Sequence, residues 1–339
     1  MNKILCAMSG GVDSAAAALL LKKDGYDVTG ATMLLADNEN DARDAARICD
    51  LIGIPHLTID AKSDFQKYVK SDFCREYLKG NTPNPCIVCN KYIKFGVFLD
   101  YALANGFDGI ATGHYVRKSE LDRRILIKCA SDEKKDQSYM LWQLSEDQIE
   151  RSLFPLGEMT KPEIREIAAA HGFFNSDRKD SQDICFVPDG EYAAFVKENT
   201  DWSPIPGDFL DAHGNVIGHH KDQLYYTIGQ RKGLGMGFGE PMYVLSKNAE
   251  KNTVTLGRNE ELFRAEVDIR DTNFIIPPSA DTPYYVKIRY AHKAAPARVY
   301  MLDGGRVKIV FDTPQRAPAA GQSAVIYKDS LLIGGGFII

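Results

Sequence analysis

Along its first 115 residues the chain alternates short apolar runs with longer stretches rich in helix formers. KILCAM is short and apolar and predicts a strand. DSAAAALLLKKDG is built from good helix formers and closes on Gly25, the residue type that ends helices in the left-handed conformation. The two patterns then repeat: YDVTGATMLL and IPHLTID predict strands on either side of the helix DARDAARICDLIG. FQKYVKSDFCREYLKG and NKYIKFGVFLDYALANG predict helices separated by a proline-rich break, the second ended by Gly106, and FDGIATGHYV predicts a further strand. Such alternation argues for an α/β domain with a mostly parallel sheet covered by helices on both faces.

The rhythm changes near residue 120. RRILIKCA predicts a strand, DQSYMLWQLSEDQIERSLFP contains helix, and KPEIREIAAAHGFF predicts a helix with Pro162 near its first turn and Gly172 as its stop. SQDICFVP, read as a strand, and the EYAAFVKEN segment close this domain near residue 200. Beyond WSPIPGDFLDAHGNVIG come short alternating segments broken by Gly, Asn and Asp: PMYVLSKN, TVTLGR, YYVKIRY, RVKIVF and SAVIYKD. These predict antiparallel strands, and the proline-rich FIIPPSADTP marks a further boundary. The expected organisation is an α/β domain over 1–200, a small central β-rich domain over 201–265 and a second β-rich domain over 266–339. No long repeat or low-complexity segment interrupts it.

A length of 339 residues exceeds what one core usually serves, which fits several domains. No apolar stretch approaches the roughly 20 residues that span a bilayer, and MNKILCAMSG runs straight into the SGG segment instead of a cleavage site. A cytoplasmic protein with no membrane partner is the expectation. The formal net charge of -5 argues against a polyanionic partner until its distribution is considered. Residues 1–60 carry five Lys/Arg against nine Asp/Glu, residues 61–100 seven against four, and residues 267–339 nine against six. Local basic surface of this kind is enough to meet a phosphate backbone. Seven cysteines, an odd number, argue against a disulfide framework.

The stretch CAMSGGVDSAAAALL carries the first candidate chemistry. A strand, a glycine turn and a helix start offer backbone N–H groups and the positive end of a helix dipole to an anion. Gly10 and Gly11 permit close approach, while Ser9 and Ser14 add hydroxyls. The spacing is neither Walker A nor GxGxxG. An ordinary capped helix behind a tight turn is the bland alternative. Asp13 suits phosphates only with a cation between them, which suggests Mg²⁺ and pyrophosphate. Met33, Gly113 and His114 fall at strand ends, where open α/β sheets line their ligand crevice or simply pack.

Thiols supply the second. GNTPNPCIVCNKYIKF sets Cys86 and Cys89 behind a rigid turn at a helix start, where a CxxC can lower a thiol pKa, hold half a zinc site, serve an iron–sulfur cluster or merely pack. Cys185 stands alone in SQDICFVPDG; joined to the CxxC it would make a sulfur relay or a three-thiolate ligand set.

SGGVDS resembles the signature of the PP-loop ATP pyrophosphatases, which adenylate an oxygen and release pyrophosphate. With ATGHY at 111–115, TPNPCIVCN at 82–90, KKDQSY at 134–139, LFPLGE at 153–158, SQDICF at 181–186, QRKGLG at 230–235 and RYAHKAAPA from Arg289, nearly the whole chain resembles the tRNA-specific 2-thiouridylase family. That resemblance implies an adenine nucleotide α-hydrolase-like domain followed by two small β-rich domains, the last a β-barrel touching tRNA. It implies 2-thiolation of the wobble uridine of Lys, Glu and Gln tRNAs, with ATP, Mg²⁺ and a persulfide donor protein. Cys89 matches the nucleophile and Cys185 the persulfide carrier, with a disulfide between them during turnover; Asp13 joins them as a catalytic position. Ala7, Met8, Ser9, Gly10, Gly11, Val12, Asp13, Ser14, Met33 and Gly113 match ATP-binding positions. Asn84, Pro85, Cys86, His114, Lys135, Asp136, Gln137, Arg289, Tyr290 and Gln322 match tRNA-facing ones. Many family members have aspartate in place of Cys86, so three cysteines here raise a second sulfur route, a [4Fe-4S] cluster on Cys86, Cys89 and Cys185. The rivals are another PP-loop activity, such as tRNA cytidine thiolation or a small-molecule amidation, and a non-enzymatic RNA-binding module.

Overall fold

A computed structural model describes residues 2–36, 39–174, 184–187 and 190–339. The chain forms two units, one of Met1–Val69, Cys86–Gln182 and Ser330–Ile333, the other of Lys70–Pro85, Asp183–Asp329 and Gly334–Ile339.

The first unit begins with β1 (Lys3–Ala7), α1 (Val12–Lys23), β2 (Asp27–Leu34), α2 (Glu39–Ile52), β3 (His56–Asp60) and α3 (Lys62–Phe65). A π-helical turn, Gln66–Lys70, leads to α4 (Ser71–Leu78), which belongs to the second unit. Next come α5 (Pro85–Cys89), a π-helical stretch Asn90–Val97, α6 (Phe98–Ala104), β4 (Gly109–Ala111), β5 (Val116–Leu121) and β6 (Arg124–Cys129). The unit continues with α7 (Glu146–Glu150), β7 (Ser152–Leu153) and α8 (Lys161–Ala170). Its sheet has the order β3-β2-β1-β4-β7, and the pairings are parallel. Because β1 has β2 on one side and β4 on the other, the loops leaving β1 and β4 flank the point where the strand order reverses. Open parallel sheets bind ligands there.

Burial follows the side-chain pattern. Ala15 to Ala18 of α1 are all fully buried, so small side chains let this helix lie close to its neighbours. In α2 only the stripe Ala42, Ala45, Ile48, Cys49 and Ile52 is buried, and the helix covers the sheet with one face.

Three local features differ from the sequence reading. The strand expected over FDGIATGHYV is confined to Gly109–Ala111, which frees Thr112–His114 to turn away. β6 is half of a hairpin whose partner β5 was missed, because its turn places Asp122 and Arg123 at positive φ without the usual Asn-Gly or Asp-Gly signal. Ile184–Val187 is a turn instead of a strand: Ile184, Phe186 and buried Val187 pack in one apolar cluster with Phe73, Cys74 and Tyr77 of α4, and only Cys185 is left exposed. Ser181 to Asp183 of the same motif lie outside the described residues.

In the second unit, α9 (Tyr192–Asn199) joins that cluster, with Tyr77 and Tyr192 stacked 4.6 Å apart. β8 (Gly207–Leu210), β9 (Val216–His220), β10 (Tyr243–Asn248) and β11 (Thr253–Gly257) form a sheet of order β10-β11-β8-β9 around Phe209, Val244 and Leu256. The last strands are β12 (Phe263–Phe274), β13 (Tyr284–Lys287), β14 (Ala295–Met301), β15 (Val307–Arg316), β16 (Ser323–Lys328) and β17 (Leu331–Ile338). They run in the order β12-β15-β14-β13-β16-β17, and pairing of β12 with β17 closes them into a six-stranded barrel. Alternate residues such as Val299, Val307, Ile309 and Phe311 are buried, as a barrel interior demands.

Candidate active site

The turn between β1 and α1 is held open from within. Gly10 adopts φ +71, and a side chain there would also press on the Asp41 carbonyl. The Ser14 hydroxyl donates to the Gly11 carbonyl at 3.0 Å and accepts from the Ser9 amide at 3.2 Å. The first turn of α1, Val12 to Ser14, therefore points its N–H groups from a fixed frame, as anion binding requires. Gly113, just after β4, approaches so closely that an added Cβ would lie 3.0 Å from the Asp13 carbonyl carbon and 3.1 Å from the Ser14 nitrogen. The fold thus brings Gly113 to the loop from 100 residues away. Ala7 ends β1, the Met8 amide donates to the Ala31 carbonyl at 2.8 Å, and Met33 lies half-buried near the end of β2.

Asp13 has a cation, and it is a lysine that the sequence reading missed. Lys161 Nζ lies 2.7 and 2.8 Å from the two Asp13 carboxylate oxygens, and the Tyr115 hydroxyl donates to the same carboxylate at 2.7 Å. Lys161 is buried at the start of α8. Its position there is fixed by Glu163, whose carboxylate accepts from the Thr160 amide and hydroxyl, and by Asp132, which accepts from the Lys161 amide. The only sequence signal was TKPE, a threonine, proline and glutamate at a helix start, and it reports a cap, not a ligand.

Tyr115 links this carboxylate to the KDQSY segment. Gln137 accepts from the Tyr115 amide through Oε1 and donates its own amide to the Tyr115 carbonyl. Asp136 accepts from the Ala130 amide and the Ser138 hydroxyl, so both residues brace the segment, and Lys135 is half-buried beside them. His114 is buried, shares a 2.8 Å hydrogen bond with Thr112 Oγ1 and lies against the Phe95 ring. Burial first, and the charge of Lys94 second, hold its pKa well below the usual value, so the ring is neutral.

The two cysteines of the CxxC differ. Cys89 is buried in α5, whereas Cys86 reaches solvent. The protein packed around Cys86 nevertheless raises its thiol pKa, and the Lys94 charge offsets part of that rise. Next in the chain, Asn90 is buried and donates to the Met140 carbonyl at 3.0 Å. In the second unit, the loop before α5 is tied to the barrel: the Thr82 amide donates to the Ala320 carbonyl, and Gln322 Nε2 donates to the Thr82 carbonyl at 2.7 Å. Gln322 therefore holds the loop that carries half-buried Asn84 and buried Pro85.

Cys185 is exposed, and no disulfide joins the described cysteines, so the implied bond to Cys89 is not formed here. Among the described residues no group of three or more His, Cys, Asp or Glu is placed to hold a metal ion. Farther along, the Arg289 guanidinium donates to the Ile228 and Ala317 carbonyls, while Tyr290 stays exposed with Lys287 Nζ 5.5 Å from its ring. The pKa of His292 is held down by burial and then by Arg289, Arg316 and Lys287, which marks a cationic cluster on the second unit.

Three family models match in succession: a tRNA methyl transferase HUP domain over residues 2–189, a tRNA methyl transferase PRC-barrel domain over 193–258 and an aminomethyltransferase β-barrel domain over 264–338. The chain is 44% identical over 352 residues to tRNA-specific 2-thiouridylase MnmA 1 of Clostridium botulinum (strain Loch Maree / Type A3), covering 99% of each. The chain belongs to the tRNA-specific 2-thiouridylase family. Other members of this family, the tRNA-specific 2-thiouridylases MnmA of Acetivibrio thermocellus and Clostridioides difficile, are 43% and 44% identical, over 99% of this chain and 99% and 98% of theirs. Its 2-thiouridylase relatives thus match all three parts of the fold and not the nucleotide-binding sheet alone.

Proposed function

We propose that this chain is an ATP-dependent tRNA-uridine 2-sulfurtransferase acting on the wobble uridine of Lys, Glu and Gln type tRNAs, in the cytoplasm. The near full-length identity to 2-thiouridylases carries the reading, and the strand, glycine turn and helix of SGGVDS support it. No described helix is long and apolar enough to cross a membrane.

In this account Ala7 to Ser14, Met33 and Gly113 bind ATP. The Ser9 and Ser14 hydroxyls and the start of α1 meet its phosphates. Asp13, fixed by Lys161 and Tyr115, keeps a third of its side chain exposed and suits a Mg²⁺ bound with the nucleotide, which would supply charge neutralisation at the phosphates. The C2 oxygen of uridine attacks the α-phosphorus and pyrophosphate leaves, so that oxygen becomes part of a good leaving group. The terminal sulfur of a persulfide on Cys185, loaded by a donor protein, attacks C2 and AMP departs. Cys89 thiolate then attacks Cys185 Sγ, which leaves the second sulfur on the base and forms a Cys89–Cys185 disulfide that a cellular thiol reduces. Burial of Cys89 and exposure of Cys185 suit resolver and carrier respectively.

The tRNA-facing positions are Cys86 and the KDQ segment with His114 behind it in the first unit, and Asn84, Pro85, Arg289, Tyr290 and Gln322 in the second. Lys287, Arg289 and Arg316 suit phosphates and Tyr290 suits a base or ribose. The test is mass analysis of nucleosides from unmodified glutamate tRNA after treatment with iron-free protein, Mg-ATP and a persulfide donor. 2-Thiouridine with one AMP and one pyrophosphate per thiolation is expected; thiocytidine or steady ADP formation would overturn the reading.

A further inference from the structure

Three residues beyond Cys89, the π-helical stretch Asn90–Val97 projects Tyr92, which is 39% exposed. Its ring stacks on Tyr68, from the π-helical turn Gln66–Lys70, with centroids 4.9 Å apart and planes only 6° from parallel. Lys91 Nζ lies 5.1 Å from the Tyr92 ring and Lys67 Nζ 4.7 Å from the Tyr68 ring. Two π-helical segments meeting through one surface stack is an uncommon construction, and such turns concentrate at functional sites. A purely structural pair would gain more from burial than from a half-open column flanked by two ammonium groups.

Stacked aromatic faces beside lysines are what single-stranded RNA selects: a base continues the stack, and the ammonium groups meet the adjoining phosphates. We propose that Tyr68 and Tyr92, with Lys67 and Lys91, form a stacking ledge for an unpaired nucleotide of the RNA loop that presents its neighbour to Cys89. The proposal rests on the RNA-thiolating reading of the site. It gives the target base, once out of its stack, a neighbour that remains stacked on protein. The basic balance of residues 61–100, seven Lys/Arg against four Asp/Glu, fits that partner's charge.

Fluorescence anisotropy of the full chain with a labelled unmodified anticodon stem-loop tests the ledge. Tyr92→Leu keeps apolar packing but removes the π face and is expected to weaken binding about tenfold, while Tyr92→Phe stays within about twofold. Lys67→Ala with Lys91→Ala should flatten the dependence of log Kd on log salt by about 0.7 per lysine. At saturating RNA the rate of AMP formation should be unchanged, which places the loss in KM. Parental affinity in Tyr92→Leu, or an unchanged salt slope in the lysine variant, overturns the ledge. Because the lysines are surface groups, the second arm decides even where Tyr92→Leu folds poorly. If the parent makes no thiouridine yet its binding depends on Tyr92, the thiolation reading fails and the ledge stands.

Discussion

The two thiols given roles in sulfur transfer sit in opposite kinds of structure. Cys89 is buried in a helix followed directly by Asn90, itself tied to the Met140 carbonyl. Cys185 is exposed in a turn whose apolar neighbours Ile184 and Phe186 pack beside α4, with the Phe186 ring 5.2 Å from Phe73. One thiol is buried in a helix; the other is exposed between two side chains that pack against an apolar cluster. A resolving nucleophile needs fixed direction, while a carrier must be reached by a donor protein, so the contrast matches the proposed division of labour.

The largest expected effect breaks that division. Cys185→Ser should lower thiolation by about a thousandfold or more while adenylation continues, read as tRNA-dependent pyrophosphate release. Equal loss of both steps would return Cys185 to a structural role. Next, Lys161→Met removes the cation from Asp13; because the carboxylate is partly exposed, the stability cost should be about 1–3 kcal/mol, with a larger fall in AMP formation than in tRNA binding. Tyr115→Phe deletes one hydroxyl from the same carboxylate and should cost about 1 kcal/mol by denaturant unfolding.

Legibility from sequence followed the same line. Local physics exposed the glycine turn and the helix start, since a strand, Gly10 and an alanine-rich helix adjoin in the chain. Lys161 was invisible: it lies 148 residues from Asp13, and an isolated lysine in TKPE carries no periodic or turn signal. Gln322 was legible only by resemblance, and its bond to Thr82 arises because the barrel's end meets a loop 240 residues earlier. The alternation in ICFV imitates a strand because Ile184 and Phe186 do pack inward, although from a turn.

Smaller effects sharpen the contrast. His114 is buried and its pKa is depressed, so the folded chain binds fewer protons there than the unfolded chain, which titrates near 6.5. Its contribution is therefore full above that value and lost as pH falls below it. His114→Asn should show a shallower fall in Tm than the parent between pH 7 and pH 5, and identical slopes would remove His114 as the cause. Cys86→Asp, which restores the side chain many family members carry, should change thiolation by no more than about threefold. A near-total loss would instead assign Cys86 an essential thiol.

The central claim is that Cys185 hands its sulfur to the base. Load iron-free protein with a ³⁵S-persulfide, map the label to the peptide containing Cys185, and add unmodified tRNA and Mg-ATP for a single turnover. The account predicts that the label moves into 2-thiouridine only when ATP is present and that a Cys89–Cys185 disulfide appears in equal amount. Label that stays on Cys185 while thiouridine still forms would contradict it.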